Sequence, residues 1–150
     1  MAIEIEHSSA PIGSAVRGIA LQDVTDAAFV RLRALVHARG VVAVRGQDLS
    51  ELAQIAFARR FGELQKIFIQ EALSPEHPEL FFVSNIIENG RPKGSMDAGR
   101  YWHTDGAYLA RPHNVSMLYA IEVPRRDDGV PLGIPISSAW RLPTTRSPTR

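Results

Sequence analysis

Trp102-His103-Thr104-Asp105 places an imidazole and a carboxylate two positions apart. On an extended segment, side chains at i and i+2 point to the same side, so His103 and Asp105 can converge on one ion. Together they are two ligands of a 2-His-1-carboxylate triad, which leaves adjacent positions open on Fe(II) for a chelating cosubstrate and dioxygen. Zinc accepts the same atoms, and with His113 as a third donor it would serve a hydrolase that activates water. The chain has no cysteine, so a thiolate site or a disulfide framework is excluded and any metal must be held by His, Asp or Glu. A His-x-Asp triplet is weak by itself, because such triplets recur by chance and a single histidine more commonly makes a structural hydrogen bond. Its surroundings have to carry the assignment. His113 follows Pro112 at the start of the next expected strand, and His37 and His77 read as surface residues.

The elements that must position this pair are legible in outline. Thr25 predicts a cap for a helix over 26–38, with Phe29, Leu32, Leu35 and Val36 on one face and Gly40 placed to end it. Residues 41–45 (VVAVR) predict a short buried strand, after which Ser50 caps a second helix running to Phe61 and stopped by Gly62. A further strand is expected over 80–84. Residues 85–100 form a Gly- and Pro-rich connection with no expected regular structure, of the kind that frames sites. Val115, Met117, Tyr119 and Ile121 recur at period two, which predicts a half-buried strand over 114–123 that Pro124 stops.

With 150 residues, 45% hydrophobic and 22% charged, the chain is long enough for one domain with a single core. Seventeen basic against sixteen acidic residues give a formal charge of +1, so bulk electrostatics offers no reason for a nucleic-acid or anionic-membrane partner. The N-terminus lacks a basic region followed by an apolar core, and no apolar run approaches the ~18 residues of a membrane span. A cytoplasmic protein acting on a small molecule is the expectation.

The string AGRYWHTDGAYLARPHNVSMLYAIEVP resembles the stretch around the iron ligands in the taurine catabolism dioxygenase (TauD/TfdA) family, where W-H-T-D, a proline several residues on and a strand ending in E-x-P recur. GVVAVRGQDLSELAQIAFARRFGEL is similar to the family's helix-strand-helix opening, with its R-x-Q and R-F-G-E-L. The resemblance covers roughly residues 10–133. It implies an α+β, mainly β fold: an incomplete double-stranded β-helix, or jelly roll, of clavaminate synthase-like kind with N-terminal helices. It also implies His103 and Asp105 as the first two ligands of Fe(2+), with 2-oxoglutarate as cosubstrate and O2 as oxidant. The implied reaction is oxidative decarboxylation of 2-oxoglutarate coupled to hydroxylation of a small substrate, and the full-length parent is a candidate homo-oligomer. Trp102 then reads either as plain packing or as an apolar shield beside the ligands.

The substrate signals depart from the taurine-cleaving pattern. That pattern has a His and a Tyr after R-F-G-E-L and an Asn before the metal His, whereas this chain has Gln65-Lys66-Ile67-Phe68-Ile69-Gln70 and Gly99. Taurine is therefore not the expected substrate. Lys66 and Gln70 are candidates to meet a polar or anionic substrate, although a loop charge is more often simply solvated, and Asn85 and Asn89 are candidates for the mouth.

Family members continue to a distal iron-binding His and to an Arg that pairs with the 2-oxoglutarate carboxylate, which a guanidinium fork fits bidentately. The family's G-D-T after the E-x-P strand, whose Thr helps hold 2-oxoglutarate, is absent here, and Gly133-Ile134-Pro135 stands in its place. Four of the ten prolines follow Pro124, in a tail of little periodicity. Loss of one G from GGC GAT ACC would convert Gly-Asp-Thr to Gly-Ile-Pro. The same shift, applied to a possible coding of residues 144–150, restores Tyr-Asp-Ala-Leu-Pro-Asp-Ala, similar to a family string after G-D-T. The expectation is a dioxygenase domain part over 1–133 and an out-of-frame, unstructured tail over 134–150, inactive as written. The alternative is a non-catalytic binding or dimerisation module derived from the same fold. Resequencing the coding DNA across Gly133 is expected to restore G-D-T and open a longer frame with a distal His and Arg. An intact GGN ATH CCN tract in related full-frame genes contradicts the shift.

Overall fold

The computed structural model describes residues 3–65, 70–96, 98 and 101–122. Lys66, Gly99, the Gly133-Ile134-Pro135 tract and the tail expected over 134–150 lie outside these described residues. The chain divides into residues 1–118 and 119–150, and residues 119–122 are described in the second unit.

The N-terminal unit is built on a three-stranded sheet in the order β1 (Glu4–His7), β2 (Ser14–Arg17), β3 (Val42–Val44). β1 pairs antiparallel with β2, setting Ile5 opposite Val16, and β2 pairs parallel with β3, setting Val16 opposite Val44. A parallel pair needs a crossover, and α1 (Asp26–Arg39) supplies it. The central strand carries the burial: Val16 is fully enclosed and Ser14 is buried, whereas all of β1 is exposed. Glu4 and Glu6 place charge along that edge, which discourages pairing with another chain.

Both helices begin where their caps place them. Thr25 Oγ1 accepts from the Ala28 N–H at 3.3 Å, and Ser50 Oγ accepts from the Ala53 N–H at 3.2 Å. α1 ends at Gly40, whose φ of +68° lets its N–H bond the Val36 carbonyl at 2.8 Å. α2 (Glu51–Arg59) is shorter than the sequence predicts. Arg60, Phe61 and Gly62 each donate to the carbonyl three residues back, so the last turn tightens before the chain leaves the axis.

Phe29 of α1 and Phe57 of α2 are buried, and with Phe61 they form an edge-to-face cluster with centroids 4.9 to 6.0 Å apart. Such pairs contribute about 0.5–1.5 kcal/mol each beyond their area. Arg60 covers Phe29 with its guanidinium 4.3 Å from the ring centroid, donates to the Val24 carbonyl at 2.7 Å and pairs with Asp26. Leu32 is buried and Leu35 and Val36 are half-buried, as the expected apolar face requires.

The R-x-Q element has a structural meaning. Gln47 donates to the carbonyls of Ile19 at 2.8 Å and Arg45 at 2.9 Å, and its Oε1 accepts from the Leu21 N–H at 2.9 Å. One amide thus ties the chain leaving β2 to the chain leaving β3.

Beyond α2 regular structure thins. The strand expected over 80–84 is reduced to isolated bridges, Leu73 with Phe81 and Val83 with Ser95, because each facing segment pairs at one position. The connection expected to be irregular contains a small hairpin, β4 (Ile87–Glu88) with β5 (Arg91–Pro92). Asn89 and Gly90, with φ of +51° and +75°, supply the two left-handed residues that a tight hairpin turn matching strand twist demands. Residues 114–122 join no ladder among the described residues. Val115 and Met117 are nevertheless half-buried and Ser116 and Leu118 exposed, so the period-two pattern survives without pairing; Ile121 is exposed. No helix among the described residues is long and apolar enough to cross a membrane.

Replacing Gln47 by Leu keeps the bulk and removes the hydrogen bonds of its amide. The expected result is a loss of about 1–3 kcal/mol in denaturant unfolding, with the midpoint shifted and the slope unchanged.

Candidate metal centre

The segment from Tyr101 to Ser116 brings the predicted pair together. His103 Nε2 lies 3.2 Å from Asp105 Oδ1, and both side chains are about half exposed. The other polar atom of each is engaged elsewhere. His103 Nδ1 is 2.7 Å from the Tyr101 carbonyl oxygen; a carbonyl only accepts, so Nδ1 is the donor in that contact and Nε2 is the ring nitrogen that faces Asp105 and would meet a metal. Ser116 Oγ donates to Asp105 Oδ2 at 3.0 Å, which leaves Oδ1 as the outward oxygen.

The turn after Asp105 fixes this arrangement. Gly106 has φ of +62°, and the Leu109 N–H donates to its carbonyl at 3.0 Å. The His113 imidazole lies against Gly106, so that a Cβ there would come within 2.9 Å of ring atoms. His113 is thus a packing partner of the turn. Among the described residues no three His, Asp or Glu side chains group as a metal site, so His113 does not complete a triad with His103 and Asp105.

The donor set suits a small divalent ion. Two N/O donors at about 2.0–2.2 Å from a metal and at right angles to each other stand about 3 Å apart, close to the spacing seen. A modest approach of both atoms toward a shared ion satisfies that geometry. The spacing of His103 Nε2 and Asp105 Oδ1 would thus suit two ligands of one divalent ion, with the ring and the carboxylate oriented by hydrogen bonds behind them.

Other expected residues fall differently. Trp102 is 72% exposed, so it neither packs in a core nor encloses the pair; Tyr101 and Tyr108 are similarly exposed. His37 is exposed as expected, whereas His77 is half-buried, with its N–H donating to Ser74 Oγ at 3.2 Å. Gln70, Asn85 and Asn89 are exposed. Ser116 and Gly106 had no place in the sequence reading. Ser116 was discoverable as the polar phase of the 114–123 alternation, and Gly106 as the residue directly following a ligand.

Comparison with known proteins shows the family to which the chain belongs. Residues 4–130 match the model of the taurine catabolism dioxygenase TauD, TfdA family, and the chain belongs to that family of non-haem iron, 2-oxoglutarate-dependent dioxygenases. It is 33% identical over 123 residues to pentalenolactone F synthase of Streptomyces arenae, covering 80% of this chain and 41% of that protein. It is 33% identical over 120 residues to the alpha-ketoglutarate-dependent 2,4-dichlorophenoxyacetate dioxygenase of Cupriavidus pinatubonensis, covering 73% and 42%. Among solved structures, a protein described as a candidate alpha-ketoglutarate-dependent taurine dioxygenase from Burkholderia xenovorans superposes with a TM-score of 0.52 at 28% identity, over 58% of this chain and 32% of that one. The chain thus spans about two-fifths of the length of the curated relatives it matches.

Gly106→Ala introduces a Cβ at a left-handed position and against the His113 ring. A loss of about 1–2 kcal/mol is expected from the backbone alone. A cycle with His113→Ala, measured by denaturant unfolding, is expected to show a coupling of at least about 0.5 kcal/mol, since removing the ring relieves the steric part.

Proposed function

We propose that this chain contributes His103 and Asp105 to the metal centre of an Fe(II)- and 2-oxoglutarate-dependent dioxygenase acting on a small molecule other than taurine. The observation that carries this is the mutual approach of His103 Nε2 and Asp105 Oδ1, each with its rear polar atom hydrogen-bonded. Iron with 2-oxoglutarate supplies oxidative decarboxylation of the cosubstrate coupled to hydroxylation of the substrate. His103 presents an oriented nitrogen and Asp105 a single oxygen; neither serves as acid or base. The departures in Gln65-Lys66-Ile67-Phe68-Ile69-Gln70 and at Gly99 from the taurine-cleaving pattern support a different substrate.

The remaining ligands belong, in this reading, to the part of the family domain that these residues do not match. A second histidine would complete the triad, and an arginine would pair bidentately with the 2-oxoglutarate carboxylate. The complete fold would be the double-stranded β-helix, in which the alternation at 114–118 becomes part of a strand and the exposed side chains of Tyr101, Trp102 and Tyr108 are covered. The exposed aromatic side chains support that reading, because apolar surface of this kind around a ligand pair leaves the metal open to water.

The test is succinate formation from 2-oxoglutarate with Fe(II) and O2, measured on the 150-residue chain and on a form continuing in the frame of the relatives. The longer form is expected to make succinate and to lose it to background in His103→Ala and Asp105→Ala, while the 150-residue chain gives none above background. Zinc-dependent hydrolysis with no 2-oxoglutarate effect, or succinate formation indifferent to His103, contradicts the proposal.

A further inference from the structure

We infer that Ser116 is a positioning residue of the metal centre, whose hydroxyl restricts Asp105 to one ligating oxygen. The inference rests on the metal-ligand reading of His103 and Asp105. A carboxylate with both oxygens free can chelate an ion through both, and the second oxygen would then occupy a position that a facial triad leaves open for cosubstrate and dioxygen. The 3.0 Å bond from Ser116 Oγ engages Oδ2 and fixes the plane of the carboxylate, so that Oδ1 alone faces His103 Nε2.

The local fold explains why a residue eleven positions away makes this contact. The Gly106 turn, with His113 packed against it, reverses the chain after Asp105. The following segment alternates, with Val115 and Met117 half-buried, so Ser116 falls in the exposed phase, on the side where Asp105 stands. A serine is short enough to reach from that backbone and has one O–H to donate. His103 receives the equivalent restraint from the Tyr101 carbonyl, so each ligand is held from behind by an atom outside the His-x-Asp triplet. Both partners of the serine bond are exposed. Its removal is therefore expected to leave folding nearly unchanged and to act on metal binding.

The experiment is Mn(II) binding to the 150-residue chain by equilibrium titration, for the parent sequence and for Ser116→Ala, Ser116→Val, Ser116→Thr and His103→Ala, with circular dichroism and thermal melting on each. Ser116→Ala and Ser116→Val are expected to weaken Mn(II) binding by about 10–100-fold with unchanged melts, the usual range for outer-shell partners of a metal ligand. Ser116→Thr, which matches Val in shape and retains the hydroxyl, is expected to keep the parent affinity. Equal losses in the Thr and Val variants, or no loss in the Ala variant while His103→Ala abolishes binding, overturn the role of the hydroxyl and leave the metal site standing. Binding that is absent in the parent or indifferent to His103 overturns the ligand reading, and this inference with it.

Discussion

Two donors from one four-residue stretch hold a metal only if they face each other, and they face each other only if something orients both. In this chain that restraint comes from behind. The Tyr101 carbonyl fixes which His103 nitrogen faces Asp105, and Ser116 fixes which Asp105 oxygen points outward. Both side chains are half exposed, so no surrounding core holds them in place. The hydrogen bonds and the Gly106 turn are what separate a candidate site from a chance triplet.

Within the first unit, the sheet-and-helix part up to α2 and the ligand segment are held by different physics. Capped helices, the Phe29, Phe57 and Phe61 cluster and the Gln47 clamp join α1, α2 and the β1-β2-β3 sheet through buried contacts. Past α2 the strand pairing among the described residues is reduced to single bridges and a two-residue hairpin, with side-chain ties such as Ser74 Oγ donating to Glu51 Oε2 at 2.6 Å. The chain spans about two-fifths of the length of the curated relatives it matches.

Legibility from sequence follows the same division. The caps at Thr25 and Ser50 and the stop at Gly40 were readable because each acts within one helical turn, and the ligand pair was readable because its spacing is local. β1 and β2 were not, since Glu-Ile-Glu-His is an exposed edge with little apolar signal and β2 declares its burial only against β3. The Asn89-Gly90 hairpin was a readable signal that the Gly- and Pro-rich composition around it obscured. Ser116 could not be assigned to Asp105 without the turn that joins them. Trp102 shows the opposite failure: its size predicts packing or shielding, but its neighbours in the described structure leave it open.

The central claim is that His103 and Asp105 ligate one metal ion. Electron-nuclear double resonance of Mn(II) bound to the 15N-histidine-labelled chain reads it directly. The expected spectrum has a single strongly coupled imidazole nitrogen that disappears in His103→Ala and persists in His113→Ala. A spectrum without imidazole coupling, or one that follows His113 instead of His103, would contradict it.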